Sequence, residues 1–217
     1  MRLLTFAMLL ATRTRALLRV AATTPKCTRT LRRAASATPE RQGTVLIRNT
    51  QRAHPIDVAR LEALTRHLLE SMDCGAFDVG LWLTTDATVR RYNTQFRGVR
   101  KATDILSFPF HDELEPGAAP RTIDRHDEDE LNLGDMVVSV AYVARKAAKA
   151  DTKLAGPGVA HAMNHVTDVE ARVQMLVIHG LCHLLNYDHE DEAEFADMAA
   201  AEDHLLRERD RWLARTP

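Results

Sequence analysis

The sequence has few cysteines and lacks a long apolar run. Cys27, Cys74 and Cys182 are the only three cysteines in 217 residues, and no Cys-x-x-Cys pair is present. This spacing does not make a disulfide framework, and it fits a reducing compartment. No segment approaches the roughly 18 to 20 unbroken apolar residues of a membrane span, so we expect no membrane association. The composition, 45% hydrophobic and 27% charged, is normal for a globular protein with a buried core.

Acidic residues are missing from the N-terminal segment. Residues 1–39 contain eight Lys or Arg and no Asp or Glu. An Arg-rich, acid-free segment with Ser and Thr is typical of an organelle transit peptide. The alternatives are a secretory signal, whose cleavage region should be uncharged where this chain has Arg13 and Arg15, and a functional basic arm. We expect a transit peptide and linker at 1–43, a single domain at 44–217, and the mitochondrial matrix, or another organelle with such a presequence, as the location.

The remainder of the chain lacks net positive charge. Without the eight N-terminal cations the formal net charge falls from -1 to -9. Proteins that bind nucleic acid in general are usually basic. A nucleic-acid role therefore needs a local positive patch, and we do not expect DNA as a substrate.

Periodicity predicts four strands and about five helices. Apolar residues alternate, or run between turn residues, in four predicted strands at 44–49, 77–84, 105–110 and 135–139. Helical spacing predicts helices at about 57–72, 86–96, 140–150, 168–185 and 191–213, with Asp86 and Thr167 or Asp168 as N-caps. The segments 111–132 and 151–166 are predicted as loops. The interleaved order predicts an α+β (α/β-like) fold, in which a small mixed four-stranded sheet packs with about five helices.

Three histidines stand at the end of the most apolar predicted helix. His179 and His183 are four residues apart, so both imidazoles lie on one helix face. The helix is apolar on every side and should be buried, and buried imidazoles need a partner such as a metal ion. Asn186 is a residue that can adopt the left-handed conformation that ends a helix and turns the chain back towards His189. We predict one zinc ion per chain, held by these three histidines, with an open fourth position as in catalytic sites. Ni, Cu or Co would also fit.

The same histidine spacing occurs in metzincin proteases, whose general base is the Glu after the first His. Gly180 occupies that position here, so a protease would lack its base, and Gly180 instead permits close packing of the helix. Chance structural histidines and a purely structural metal stay open, although no Cys or His offers an obvious fourth ligand. His161 and His165 form a second pair at the same spacing, but no apolar helix frames it, and we predict a solvated loop pair.

Three segments, whose order along the chain matches that of a known family, carry a resemblance to it. They are His179-Gly-x-x-His-Leu-Leu-x-Tyr-Asp-His189, the run Asn93-Thr-Gln-Phe-Arg-Gly98 with Lys101-Ala-Thr-Asp-Ile-Leu-Ser-Phe-Pro109, and Leu133-Gly-Asp-Met136. Together they resemble the YbeY family of endoribonucleases, the rRNA maturation factors, over about 44–213. Asn186 stands where that family usually has Gly. The presequence has no bacterial counterpart and fits an organellar member.

The resemblance implies a metal-dependent, single-strand-specific endoribonuclease in small-subunit rRNA maturation and ribosome quality control. A zinc-bound water, its pKa lowered towards 7, would attack a phosphodiester or deprotonate a ribose 2′-OH. Arg97 matches the family's functional arginine and would clamp a phosphate. Arg100 and Lys101 would add positive charge for RNA binding, or form a merely solvated cluster. Asp188 would orient a ligand histidine, or serve only capping and solvation.

Three functional hypotheses follow from these observations. The first is the RNA hydrolase, with single-stranded RNA and small-subunit rRNA as partners. The second is a metal-dependent hydrolase of another substrate, such as a peptide, which Gly180 disfavours. The third is a non-catalytic ribosome-assembly factor that binds a ribosomal protein or an assembly GTPase and uses zinc only for stability. Intact metal ligands do not separate the first hypothesis from the third.

Overall fold

The computed structural model describes residues 41–149 and 157–216. Residues 1–40 of the predicted transit peptide and linker lie outside the described residues. The described residues all belong to one compact unit. Within them, no helix combines the length and the apolar character that a membrane crossing requires.

Four strands form one mixed sheet, in agreement with the prediction. They are β1 (Val45–Asn49), β2 (Asp78–Thr84), β3 (Ile105–Pro109) and β4 (Asn132–Ser139). The strand order is β1-β2-β4-β3. The first three strands in this order run parallel, and the edge strand β3 runs antiparallel to β4. The predicted α+β fold is therefore confirmed.

Seven helices occur within the described ranges. They are α1 (Val58–Ser71), α2 (Asp86–Arg97), α3 (Ala119–Thr122), α4 (Val140–Ala147), α5 (Gly158–Met163), α6 (Val169–Leu184) and α7 (Glu192–Arg215). The five predicted helices are present. The two additional helices, α3 and α5, lie in segments that were predicted as loops. They have 4 and 6 residues, which is too short to show a helical period, so the sequence pattern did not predict them.

The two predicted N-caps have different outcomes. Asp168 caps α6, because its Oδ1 accepts a hydrogen bond from the backbone N–H of Ala171 at 2.7 Å. The prediction for Asp86 was wrong: Thr85 is the N-cap residue of α2, and Asp86 is its first helical residue. The Asp86 carboxylate accepts hydrogen bonds from the Ser139 hydroxyl and the Arg145 guanidinium instead. Sequence alone does not reveal this competition, because both donors come from β4 and α4.

Helix α6 is the buried centre of the domain. It packs against β3 and β4 and against α1, α4, α5 and α7. From Arg172 to Leu184 every residue except His179 and His183 is buried. A Cβ atom at Gly180 would overlap the Met136 sulfur and lie 2.9 Å from Cδ1 of Ile105. Glycine therefore allows the close approach of α6 to the sheet, as predicted.

Helix α2 covers part of the opposite face of the sheet. Met136 and Val138 of β4 belong to the main core, whereas Val137 packs with Val89 of α2 and Leu106 of β3. Side chains alternate between the two faces of a strand, so the two clusters lie on opposite sides of the sheet. The C-terminal end of α2 and the edge strand β3 thereby come to lie beside the end of α6.

Candidate metal centre

Three imidazoles meet where α6 ends. The candidate ligand atoms of His179, His183 and His189 all lie within 4.8 Å of one another. The ring centroids are 4.6 Å apart for His179 and His183, 5.2 Å for His183 and His189, and 5.8 Å for His179 and His189. In the part of the chain that the structure describes, no other group of three His, Cys, Asp or Glu is arranged in this way. The arrangement can hold one metal ion.

Asn186 produces the bend that brings His189 back to the other two histidines. Its φ is 64°, so it adopts the predicted left-handed conformation. Its side-chain amide also donates hydrogen bonds to the carbonyl oxygens of His111, at 2.6 Å, and Leu114, at 3.0 Å. A glycine could make the turn but could not form these bonds. Asn186 therefore both turns the chain and fixes the bend to the start of the 111–132 segment.

The Nδ1 atoms of two histidines are already engaged. His179 Nδ1 lies 2.6 Å from Oε1 of Glu202, and His183 Nδ1 lies 3.0 Å from the carbonyl oxygen of Tyr187. With Nδ1 donating its proton, Nε2 carries the free lone pair of each neutral ring. Outer partners of this kind fix the tautomer and the orientation of metal-binding histidines. Both rings are therefore prepared to bind a metal through Nε2.

Glu202 is the functional residue that the sequence reasoning missed. It lies on α7, is only 5% exposed, and accepts a second hydrogen bond from the backbone N–H of Val159 at 2.7 Å. A signal for it exists in the sequence. Glu202 stands four residues after Met198 and three before Leu205, both buried, so it is an acid on the apolar face of a helix. A buried carboxylate needs a partner, and His179 provides one.

The histidines form one wall of a cleft of about 790 Å³. Residues 105–109 of β3 and Phe96 and Arg97 of α2 form other parts of its lining. Arg97 is exposed at the end of α2, which Gly98 terminates with a φ of 69°. The structure thus brings Arg97 to the histidine cleft. Arg100 and Lys101 do not line this cleft and belong to a neighbouring groove.

The sequence model of the endoribonuclease YbeY matches residues 46–210, a range that includes the three histidines, Arg97 and Glu202. The chain belongs to the YbeY endoribonuclease family. The suspected resemblance is therefore confirmed, and the chain is a member of a family of RNA-cleaving hydrolases.

Two YbeY proteins from other organisms support the same assignment, and one solved structure is also similar. The endoribonuclease YbeY of Gloeobacter violaceus is 36% identical over 155 residues, which is 70% of this chain and 68% of the relative. The endoribonuclease YbeY of Homo sapiens is 31% identical over 164 residues, 76% of this chain and 87% of the relative. The solution structure of TM1509 from Thermotoga maritima shares 22% identity with a TM-score of 0.47, and the match covers 80% of this chain and 94% of that one.

Unlike Glu202, Asp188 forms no hydrogen bond to an imidazole of the three histidines. Its Oδ1 lies 4.0 Å from Nδ1 of both His183 and His189, which is beyond hydrogen-bond distance. The same oxygen accepts a hydrogen bond from the backbone N–H of His189 at 2.8 Å. The structure therefore shows Asp188 holding the backbone of the third histidine, and its orienting role towards an imidazole stays a prediction.

The electrostatic environment of the centre suits a metal. Burial, followed by the neighbouring His179 imidazole, lowers the pKa of His183 to about 4. His183 is therefore neutral near pH 7, and neutral imidazole is the form that coordinates metal ions. Burial raises the pKa of Cys182 on the same helix, so this thiol is protonated, and it is 1% exposed within the core. The three histidines alone supply the donors, a set that suits zinc.

Proposed function

We propose that this YbeY protein is a zinc-dependent, single-strand-specific endoribonuclease that acts in small-subunit rRNA maturation and ribosome quality control. The observation that carries the proposal is the convergence of three imidazoles, within 4.8 Å, in a cleft that Arg97 also lines. Three protein ligands leave a zinc ion an open position, which is the pattern of catalytic sites.

Each residue has a defined task in this proposal. His179, His183 and His189 would hold the ion, with Glu202 and the Tyr187 carbonyl fixing two of the rings. When bound, zinc lowers the pKa of a coordinated water and polarises a phosphoryl oxygen. Arg97 binds the scissile phosphate through its planar fork and offsets the charge that develops in the transition state.

Two aromatic side chains in the lining of the cleft support a preference for single strands. Phe96 of α2 and Phe108 of β3 both line the cleft, and their ring centroids are 5.3 Å apart in an edge-to-face arrangement. Both rings are half-buried. Proteins that recognise unpaired RNA use aromatic rings on which splayed bases stack, and a paired strand does not offer its bases in this way.

Replacing Arg97 tests the hydrolase and separates catalysis from metal binding. We expect Arg97→Ala to keep one zinc per chain and to lower cleavage of an unstructured RNA by roughly a hundred- to a thousand-fold, because one charged donor to the transition state is lost. Arg97→Lys is the matched control, because it keeps the positive charge but loses the planar guanidinium that binds a phosphate through two hydrogen bonds. Its cleavage rate should lie between those of wild type and Arg97→Ala. The measurements are metal content by plasma mass spectrometry and cleavage rate by gel.

Two outcomes would contradict this proposal. If wild type, Arg97→Ala and His183→Ala cleave equally, the activity belongs to a contaminant. If pure wild type carries zinc and leaves RNA intact, the non-catalytic ribosome-assembly factor, with a ribosomal protein or an assembly GTPase as partner, becomes the better hypothesis.

We also propose that the protein works in the mitochondrial matrix. The support is compositional: residues 1–39 have eight Lys or Arg and no acid. A fusion of residues 1–43 to a fluorescent protein should enter mitochondria. The matched fusion with Arg13→Glu, Arg15→Glu and Arg19→Glu should stay in the cytosol, because the acid-free character is lost. Secretion of the first fusion would favour a signal peptide, and an even cytosolic distribution would favour a basic arm.

A further inference from the structure

A second groove adjoins the metal cleft on the outer side of α2. It has a volume of about 490 Å³ and lies between α2, the 98–104 loop and α4. The residues that give it its chemistry are Asp86, Arg90, Arg100, Lys101, Tyr142 and Arg145. We call it the α2–α4 groove. The groove and the cleft of the three histidines have no lining residue in common, so the groove is separate from the metal centre.

The groove is strongly basic although the domain is acidic. Residues 86–104 and 139–149 contain eight Lys or Arg and two Asp, whereas the chain without residues 1–39 has a net charge of -9. Asp86 is the one acid in its lining, and Arg145 pairs with it at 2.5 Å. Within the described residues, Arg90, Arg100 and Lys101 form no ion pair, and all three are exposed. Unpaired cations concentrated in this way attract a polyanion.

The groove and the metal cleft share one wall. Arg90 and Arg97 lie seven residues apart on α2, which places them on the same helix face about 10 Å apart. Arg97 lines the cleft and Arg90 lines the groove. In the following loop, Ala102 lines the groove and the next residue, Thr103, lines the cleft. A linear polyanion in the cleft can therefore continue directly into the groove.

The cations of the loop are presented on a fixed backbone. The buried Asn93 donates from its side-chain Nδ2 to the carbonyl oxygen of Lys101 at 2.8 Å. The backbone N–H of Val99 donates to the Asn93 carbonyl at 3.2 Å, and the N–H of Lys101 donates to the Val99 carbonyl at 2.9 Å. Binding at a loop ordered in advance costs less conformational entropy than binding at a free one.

Tyr142 adds an aromatic surface among these cations. Its half-buried ring lines the groove, with the Arg145 guanidinium carbon 5.4 Å and the Lys146 ammonium 5.9 Å from the ring centroid. A groove that holds both an aromatic ring and unpaired cations has the combination that binds a nucleobase and its phosphates without sequence preference. An acidic peptide would satisfy the cations but would make no use of the ring.

We propose that the α2–α4 groove is a second RNA subsite, which binds backbone phosphates through Arg90, Arg100 and Lys101 and stacks one unpaired base on Tyr142. The occupant is the same single strand whose scissile phosphate lies in the metal cleft. This inference rests on the proposed endoribonuclease function and adds to it a requirement for RNA that extends beyond the cleavage point.

Binding of short and long RNA tests the subsite. The probes are fluorescein-labelled 2′-O-methyl oligouridines of about 3 and about 12 nucleotides, the longer within the ~4–16 nucleotide range of single-strand sites. With zinc-loaded full-length protein at ~100 mM salt, we expect Arg90→Ala to weaken 12-mer binding about five- to ten-fold. The same variant should reduce the slope of log binding constant against log salt concentration by about one. Tyr142→Leu should weaken it about ten-fold with the slope unchanged. Both variants should reduce the advantage of the 12-mer over the 3-mer.

The matched control is Arg207→Ala, which removes an exposed arginine from α7 on the other side of the sheet. It should bind both oligouridines as wild type does. The subsite is overturned if wild type cleaves RNA while Arg90→Ala and Tyr142→Leu bind the 12-mer like Arg207→Ala. If wild type does not cleave RNA, the proposed endoribonuclease function is wrong, whatever the binding results are. If a poly-glutamate peptide of similar length binds in an Arg90-dependent manner and RNA does not, the groove belongs to an acidic protein segment and the proposal is wrong.

Discussion

Replacing His183 by alanine is expected to remove the metal ion and to lower RNA cleavage by roughly a thousand-fold or more. The imidazole of His183 lies close to both of the others, 4.6 Å from the ring of His179 and 5.2 Å from that of His189. Without it only two ligands remain, and catalytic zinc sites have three protein ligands. The lost transition-state stabilisation of several kcal/mol corresponds to that factor in rate. Metal content and the cleavage rate of an unstructured RNA are the measurements.

Glu202→Gln is expected to weaken metal binding without abolishing it. The substitution keeps the size of a side chain that is 5% exposed, but it removes the carboxylate that lies 2.6 Å from His179 Nδ1. Loss of such an outer partner typically weakens metal binding about 10- to 100-fold. Added zinc should therefore restore cleavage in Glu202→Gln but not in His183→Ala. One zinc per chain in folded His183→Ala would refute the three-histidine centre.

Gly134→Ala is expected to cause a large loss of stability. Gly134 on β4 has a φ of 120°, a conformation that other residues rarely adopt. A Cβ atom there would overlap the carbonyl oxygen of Phe108 and lie 3.0 Å from the amide nitrogen of Phe110. Backbone strain and overpacking together should lower the free energy of unfolding by about 3 kcal/mol or more. Thermal unfolding should show a decrease in Tm of about 10 °C.

Gly98→Ala separates the two causes of this loss. Gly98 has a φ of 69°, but no atom lies within 4 Å of the position that a Cβ would take. This variant carries the left-handed strain without the overlap, and should cost about 1 to 2 kcal/mol. If Gly98→Ala and Gly134→Ala lower the free energy of unfolding equally, the overlap of the new Cβ atom with β3 does not contribute to the loss at Gly134.

The features that the sequence predicts well depend on neighbours along the chain. The strands and the five longer helices follow from local periodicity. The i, i+4 spacing of His179 and His183 follows from helical geometry, and the left-handed Asn186 follows from the chemistry of helix ends. These features need no knowledge of what packs against them.

The features that were missed depend on contacts between distant segments. Asp86 does not cap α2 because Ser139 and Arg145 engage its carboxylate. Glu202 reaches His179 only because α7 packs against α6. The basic groove is hidden in the acidic net charge, because Arg90 and Arg145 are far apart in the sequence and meet only where α2 packs against α4.

The two hydrogen bonds of the Asn186 amide also constrain how this protein and its relatives can diverge. They join the bend before His189 to residues 111 and 114, so positions 111, 114 and 186 are fixed to one another close to the last imidazole. The backbone N–H of Gly117 also donates a hydrogen bond to the Leu185 carbonyl oxygen at 2.9 Å, so an insertion anywhere between residues 111 and 117 would disturb this bend. Length variation in the 111–132 segment should therefore accumulate beyond Gly117.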